Sequence, residues 1–404
     1  MQPQPFLAAS KRHADTRDRQ WVARPIPWAL DATAWEPHGT FTATATQDDD
    51  SVILTRDDTA DAENRGEIAL DMSCDLTGRF IAVKAQALDA NLAQFWWQGF
   101  ATNRTSIRWQ DGSTNAQFLA ELQSRPRLLS MVPERLNHSR DPAEKADFRR
   151  LGIRLHAATG TTTQVRILGV WVVDMPPACM TIYLDDAFTS HHTIALPALT
   201  ERGMRAAVAV ETNKISGTTG YATIAQIDDM YAAGWDVNDH LKGGQLASGS
   251  GMYAGAVADM RESQQILYTN GWTRGYRHLV YPGGSRNDAV EDEVRKLYHS
   301  ARGVVSWSAH GAPAVRPYAI DGGSSFYQGQ NIAGVKARID AVASHGGHFP
   351  LTFHGIAESG ATGFETNRAE FEELLDHIAS LGIPTVLPSE MFGESAPRPL
   401  ADLV

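Results

Sequence analysis

The chain has 404 residues, 43% hydrophobic and 21% charged, with a formal net charge of −11. That length allows two domains with cores of their own, and the acidic balance, without any basic run, argues against a nucleic-acid surface. Two cysteines, Cys74 and Cys179, are too few for a disulfide framework or a thiolate metal site, and no segment is apolar over a membrane-spanning length.

Residues 1–20 read as a polar arm carrying Lys11, Arg12, Arg17 and Arg19, with no apolar core of signal-peptide length. Residues 21–175 read as β. Ser51–Thr55, Gly66–Leu70, Arg79–Val83, Leu151–His156 and Gln164–Asp174 are strand-like runs separated by polar turns, with Gly169 placed for a bulge. Thr159–Thr163 reads as the hairpin turn between the last two, and Leu136–Arg149 as a polar loop with a helical turn. Many short strands of this kind predict an all-β sandwich or jelly roll. Trp21, Trp28, Trp35, Trp96, Trp97, Trp109 and Trp171 fall in this half. Aromatic faces suit sugar rings, while a sandwich core is the commoner place for a tryptophan. In Phe95-Trp96-Trp97, strand geometry sets Trp96 opposite its two neighbours.

After Met175-Pro176-Pro177 the pattern changes to alternating strands and helices over residues 176–404. Strands are expected at Met180–Leu184, Arg205–Val210, Trp235–Asn238, His278–Tyr281, Gly303–Ser306, Leu351–Phe353 and Thr385–Leu387. Helices are expected at His191–Arg202, Ile224–Ala233, Tyr253–Asn270, Asp288–Ser300, Ile332–Ser344 and Asn367–Leu381. Gly203, Gly234, Gly271 and Gly382 stand where helices stop. About seven βα units predict a parallel sheet, open or curled into a barrel whose site lies at the C-terminal strand ends.

Those ends carry chemistry. The first strand ends in Asp185-Asp186, the one at Trp235–Asn238 in Asp239-His240, the one at His278–Tyr281 in Pro282-Gly283-Gly284, and Leu351–Phe353 in His354. Asp185-Asp186 reads either as a helix N-cap or as a carboxylate pair that needs a cation or a shared proton. Carboxylates, imidazoles and exposed backbone N–H groups on one rim supply a ligand set, a base, an acid and an oxyanion pocket for metal-assisted hydrolysis.

On Leu184-Asp185-Asp186, Gly234–His240, Tyr281-Pro282-Gly283-Gly284 and Leu351–Gly355, in that order, the chain resembles the polysaccharide deacetylase family (NodB homology domain, carbohydrate esterase family 4) over about residues 178–391. The resemblance implies a distorted (β/α) barrel of NodB type, and a hydrolase that removes acetyl groups from an acetylated glycan by cutting a C–N amide or an O-acetyl ester bond. It implies Asp185 as base and His354 as acid. It places Tyr281 and Gly283 in the catalytic turn, with the Gly283 N–H binding the oxyanion. Asp186 and His240 are implied as ligands of a divalent metal, Zn²⁺ first among them. The combination of arm, β-domain and barrel resembles phage tail-type deacetylases, which implies a virion location. A cytoplasmic enzyme without membrane insertion is the alternative.

Two positions depart from the family pattern. Gly244 stands where a second histidine is expected, which leaves water, Gln245, His191, His192 or His278 to complete the site. Val280 stands where an arginine that holds the base is expected, with Arg277 and Arg302 as substitutes. A catalytically decayed carbohydrate-binding or phage-tail structural protein is therefore the rival reading. The sequence is silent on oligomeric state.

Overall fold

The computed structural model describes residues 23–38, 43–56, 65–100, 107–113, 116–131, 146–215, 217–304, 316–320 and 322–393. The arm 1–20, Trp21 and positions 136–145 of the expected loop lie outside them. The chain divides into two compact units between Met175 and Pro176.

The first unit holds two antiparallel sheets. One runs in the order β3 (Thr44–Asp48), β4 (Ser51–Arg56), β11 (Thr163–Asp174), β6 (Arg79–Ala87), β9 (Arg127–Met131), with β1 (Ala23–Pro25) also paired to β11. The other runs β2 (Trp35–Pro37), β5 (Arg65–Cys74), β10 (Phe148–Ala157), β7 (Leu92–Phe100), β8 (Ile107–Ser113). Strand β4 touches β5 and β10 of the opposite sheet. The α-helix Ala116–Ser124 interrupts the strand pattern. In β11, buried Val165 and Ile167 alternate with half-buried Gln164 and Arg166, the period of a strand with one covered face. Register shifts between Ile167 and Gly169. A Cβ on Gly169 would collide with the Trp171 ring two residues on, so only glycine fits under it.

Thr159–Thr163 is not a hairpin turn. It joins β10 and β11, which belong to different sheets. The residues specify a turn, with Thr161 N–H donating to Ala158 O at 3.1 Å, but a local turn does not dictate which strand the chain pairs with next. Phe95 is buried and Trp96 half-buried on the opposite face, its Nε1–H held by Gln94 Oε1 at 2.9 Å. Trp35 is buried, whereas Trp28 is 47% exposed.

The second unit is built on seven strands, all parallel, in the order β18 (Ser300–Arg302), β17 (His278–Val280), β14 (Asp236–Asp239), β13 (Ala207–Val210), β12 (Cys179–Leu184), β20 (His348–Phe353), β19 (Ser324–Ser325). A short hairpin of β15 (Ala247–Ser248) and β16 (Gly251–Met252) lies between β14 and β17 in sequence. At one edge Ile320 N–H donates to Ala301 O; at the other, Ser324 pairs with Leu351. Four residues reach at most about 14 Å, so the two edges lie close and the sheet is curled almost into a barrel.

The apolar faces of Ile224–Ala232, Ile332–His345 and Arg368–Leu381 pack on the outside of this sheet, in a cluster that includes Ile227, Met230, Ile339, Phe371 and Leu375. The inside combines a small apolar cluster of Tyr183, Ala207, Ala209 and Val280 with polar groups. Thr181 Oγ1, which donates to Val386 O, accepts from His348 Nε2 at 2.9 Å; His278 hydrogen-bonds through Nε2 with Tyr183 OH at 3.2 Å and through Nδ1 with Ser300 Oγ at 2.6 Å. The apolar run after Gly303 points to Gly303–Ser306, of which 305–306 lie outside the described residues; the described strand is Ser300–Arg302, where Ser300 and Arg302 meet polar partners and Ala301 packs with Leu279 and Val294. Thr385 makes only an isolated bridge to Met180, and Thr385–Leu387 is not a strand. No helix among the described residues is long and apolar enough to cross a membrane. Cys74 and Cys179 are free thiols whose pKa values burial pushes up to about 11 and about 12.

Candidate active site

Strands β12, β13 and β14 are neighbours in register, with Leu184 beside Val208 and Val210 beside Asp239. The first residues past their C-terminal ends therefore converge, since adjacent strands lie about 4.8 Å apart. Those residues are Asp185-Asp186, Glu211 and His240. One ligand atom each from Asp186, Glu211 and His240 falls within 4.8 Å of the others. His240 Nε2 lies 3.3 Å from Asp186 Oδ1. Its Nδ1–H is donated to Val280 O at 2.7 Å, which fixes the ring and turns Nε2 inward. Three non-Gly residues here have left-handed backbones: Asp186 (φ 71°), Ala187 (φ 53°) and Leu241 (φ 59°). Each costs about 1–3 kcal/mol, and the strain sits beside the groups that converge. Asp239 stabilises the bend after His240: its Oδ1 accepts from Leu241 N–H at 2.8 Å and Ser263 Oγ at 2.6 Å, and its Oδ2 from Tyr298 OH at 2.7 Å.

Asp185 is buried, and Arg302 Nη2 donates to both its oxygens, at 2.7 and 2.6 Å. The guanidinium also lies over the Tyr183 ring and donates to Thr352 Oγ1 at 3.2 Å. Arg302, the last residue of β18, thus takes the place sought near Val280, whereas Arg277 Nε–H donates to Leu297 O. Burial pushes the Asp185 carboxyl up, but the charges of Arg302, His240 and His354 outweigh it and hold the group below the usual carboxylate range. Burial alone would lower His240; the Asp186 hydrogen bond and the two Asp charges raise it instead. Burial and the Asp186 charge raise Glu211.

His354 follows β20. Its carbonyl accepts His191 Nε2–H at 2.8 Å, and its ring lies 5.6 Å from that of Phe364, which is 65% exposed. His354 Nδ1 is buried without a partner among the described residues. His191 is held neutral, burial lowering its pKa to about 4. His191, His192 and His278 are spent on the His354 carbonyl, on Asp229 and inside the barrel, so none of them joins the Asp186–His240 pair. Glu211 does. Gly283 turns with φ 56° and faces Gln245. Tyr281 is not brought to the cluster. Its ring packs with Leu246 and Met260, and its OH donates to Tyr318 O at 2.9 Å. What it gives the turn is a backbone carbonyl for Gly284 N–H.

Two carboxylates and an imidazole within one ion's reach fit a divalent cation, which would balance the like charges of Asp186 and Glu211. No protein-family model matches the chain, and no curated protein sequence does. Among solved structures it is similar to the Streptococcus pyogenes deacetylase PplD in complex with acetate: 21% identity, TM-score 0.31, over 35% of this chain and 61% of that one. It is similar to a family 4 carbohydrate esterase from Streptomyces lividans in complex with acetate: 15% identity, TM-score 0.37, over 55% and 98%. A Xyl-CE4 domain of a multidomain xylanase from the hindgut metagenome of Trinervitermes trinervoides aligns at 12% identity and TM-score 0.38, over 55% and 93%. Likenesses this weak assign no function; the geometry of the site carries the functional reading.

Proposed function

We propose that this chain is a metal-dependent hydrolase that removes acetyl groups from a polysaccharide or oligosaccharide. The observation that carries the reading is the buried Asp185 carboxylate, kept ionised by Arg302, next to a three-donor cluster at the same strand ends. Asp186 and His240 would hold a divalent cation. Such an ion supplies Lewis acidity toward the acetyl carbonyl and lowers the pKa of a water. Zn²⁺ is the ion the sequence favours.

Asp185, held as the anion by the guanidinium before the reaction, accepts a proton from the attacking water and releases it once the products have left. The Gly283 N–H, presented by a left-handed turn, donates to the carbonyl oxygen as it gains charge. His354 delivers a proton to the leaving nitrogen or oxygen, so that the acetyl C–N or C–O bond breaks, acetate departs with an oxygen from water, and the sugar keeps its amine or hydroxyl. Phe364, exposed beside His354 and edge-on to Tyr327, offers an apolar face for a sugar ring.

The first unit is read as a carbohydrate-binding or anchoring domain, with exposed Trp28 as one sugar-facing candidate. A virion tail is the location this arrangement suits. The test is acetate release from N-acetylglucosamine oligomers and from acetylated xylan by metal-loaded protein. Release from either supports the reading. Absence of release from both, with the metal bound, favours the rival of a catalytically decayed glycan-binding protein, which Gly244 in place of histidine motivates.

A further inference from the structure

Gly244 stands where the family resemblance expects a second histidine, yet the cluster has three donors because Glu211 enters from the neighbouring strand end. The glycines of this turn make that entry feasible. Gly243 has φ 85°, and a Cβ there would stand 3.0 Å from Glu211 Oε2 and 3.1 Å from Oε1. The Glu211 carboxylate therefore rests in a cradle that any side chain at position 243 would invade. A Cβ at Gly244 would meet nothing closer than Asp259 Oδ2, at 3.9 Å. The missing imidazole and the added carboxylate are two sides of one rearrangement: β13 supplies what the loop after β14 does not.

We propose that Glu211 is the third protein ligand of the cation held by Asp186 and His240, and that this set of two carboxylates and one imidazole suits a hard, oxygen-preferring divalent ion of the manganese class better than a histidine-rich set would. The proposal rests on the metal-dependent reading above and sharpens which ion it concerns. Imidazole nitrogen favours zinc, whereas carboxylate oxygen and water narrow zinc's advantage over manganese. His240 is fixed by Val280 O and so contributes a single nitrogen. The remaining protein donors are oxygens.

Calorimetric titration of the metal-free full chain with Mn²⁺ and with Zn²⁺ tests this without reference to turnover. The wild type should bind one ion of either kind. Glu211→Gln should weaken both by roughly tenfold or more, as loss of a ligand requires. Gly243→Ala, which keeps every donor but intrudes on the Glu211 carboxylate, should weaken both as well. Glu211→His should keep the stoichiometry and raise the zinc-to-manganese affinity ratio by about tenfold or more. Asp186→Asn is the control. If it loses the ion while Glu211→Gln and Gly243→Ala bind as the wild type does, Glu211 is no ligand and the inference falls, with the metal site intact. If Asp186→Asn also binds normally, the underlying reading falls. An unchanged ratio in Glu211→His overturns the claim about the class of ion.

Discussion

Asp185 and Arg302 are 117 residues apart in sequence and form one unit, with side chains 6% and 2% exposed. Removing one partner of such a pair leaves an uncompensated buried charge and costs about 3–5 kcal/mol. Arg302→Met should therefore lower the chemical-denaturation midpoint markedly, and a midpoint within error of wild type would show that the pair contributes nothing. The same substitution removes the charge that holds Asp185 low. A depressed carboxylate is ionised above its ordinary pKa of about 4, and its stabilising effect is lost only as pH falls through the depressed value. Asp185 therefore sets no acid limb near neutrality in the wild type. Any residual activity of Arg302→Met should show an acid limb moved upward, and an unmoved limb would remove Asp185 from the role of base.

Both partners were visible as residue types, but only Asp185 carried a motif. Arg302 was one of two candidates because pairing across the barrel leaves no trace in sequence spacing. Glu211 was missed although its signal was present: the strand expected to end at Val210 is followed directly by a carboxylate, at the same kind of position as Asp185 and His240. A lone Glu has no companion residue to mark it, so it shows only when every strand end is read.

Among elements, the helices stood close to their expected places because their apolar faces pack on one side of the sheet and repeat with helical period. Strands that line the interior were harder. Ser300–Arg302 is short and polar, and nothing apolar marks it. The interior also holds histidines that must stay neutral. Burial lowers the His348 pKa to about 4, against about 6.5 unfolded. The unfolded chain therefore binds the proton first, and stability is lost as pH falls from about 6.5 to about 4. The full effect is on the order of 3 kcal/mol. Asp236 and Asp239 oppose this in part. Burial raises both carboxyls to about 6, so they favour the folded form as pH falls through that value. His191, lowered by burial to about 4, and His278, well below its usual value, add to the loss; three buried histidines against two carboxyls leave the loss to prevail. Urea midpoints should fall between pH 6.5 and 4, and His348→Gln should flatten that slope. A slope identical in the mutant would mean that His348 is not buried and neutral.

At the scale of the whole molecule, the change from strand-only to strand-and-helix pattern coincides with Pro176-Pro177, where neither a strand nor a helix continues easily. The catalytic groups proposed here all belong to the second unit. A chain beginning at Pro176 should melt cooperatively and retain acetate release from small acetylated sugars. Loss on polymer alone would assign glycan capture to the first unit, and failure to fold would show that the units depend on each other. What the sequence did not reveal about the first unit is which strands share a sheet: β10 and β11 are consecutive, both clearly amphipathic, and part company at Thr159–Thr163.

The central claim is that Asp185 is the base beside a bound divalent ion, and one comparison addresses it most directly: acetate release by Asp185→Asn and by wild type, both loaded with the same ion to the same stoichiometry. Asparagine preserves the shape but leaves the buried Arg302 charge uncompensated, so the melting point should fall; with the metal matched by loading, turnover is compared well below the lowered melting point. Turnover should fall by about 10²–10⁴-fold, the usual contribution of a general base. An Asp185→Asn protein that releases acetate at near-wild-type rate would contradict the account.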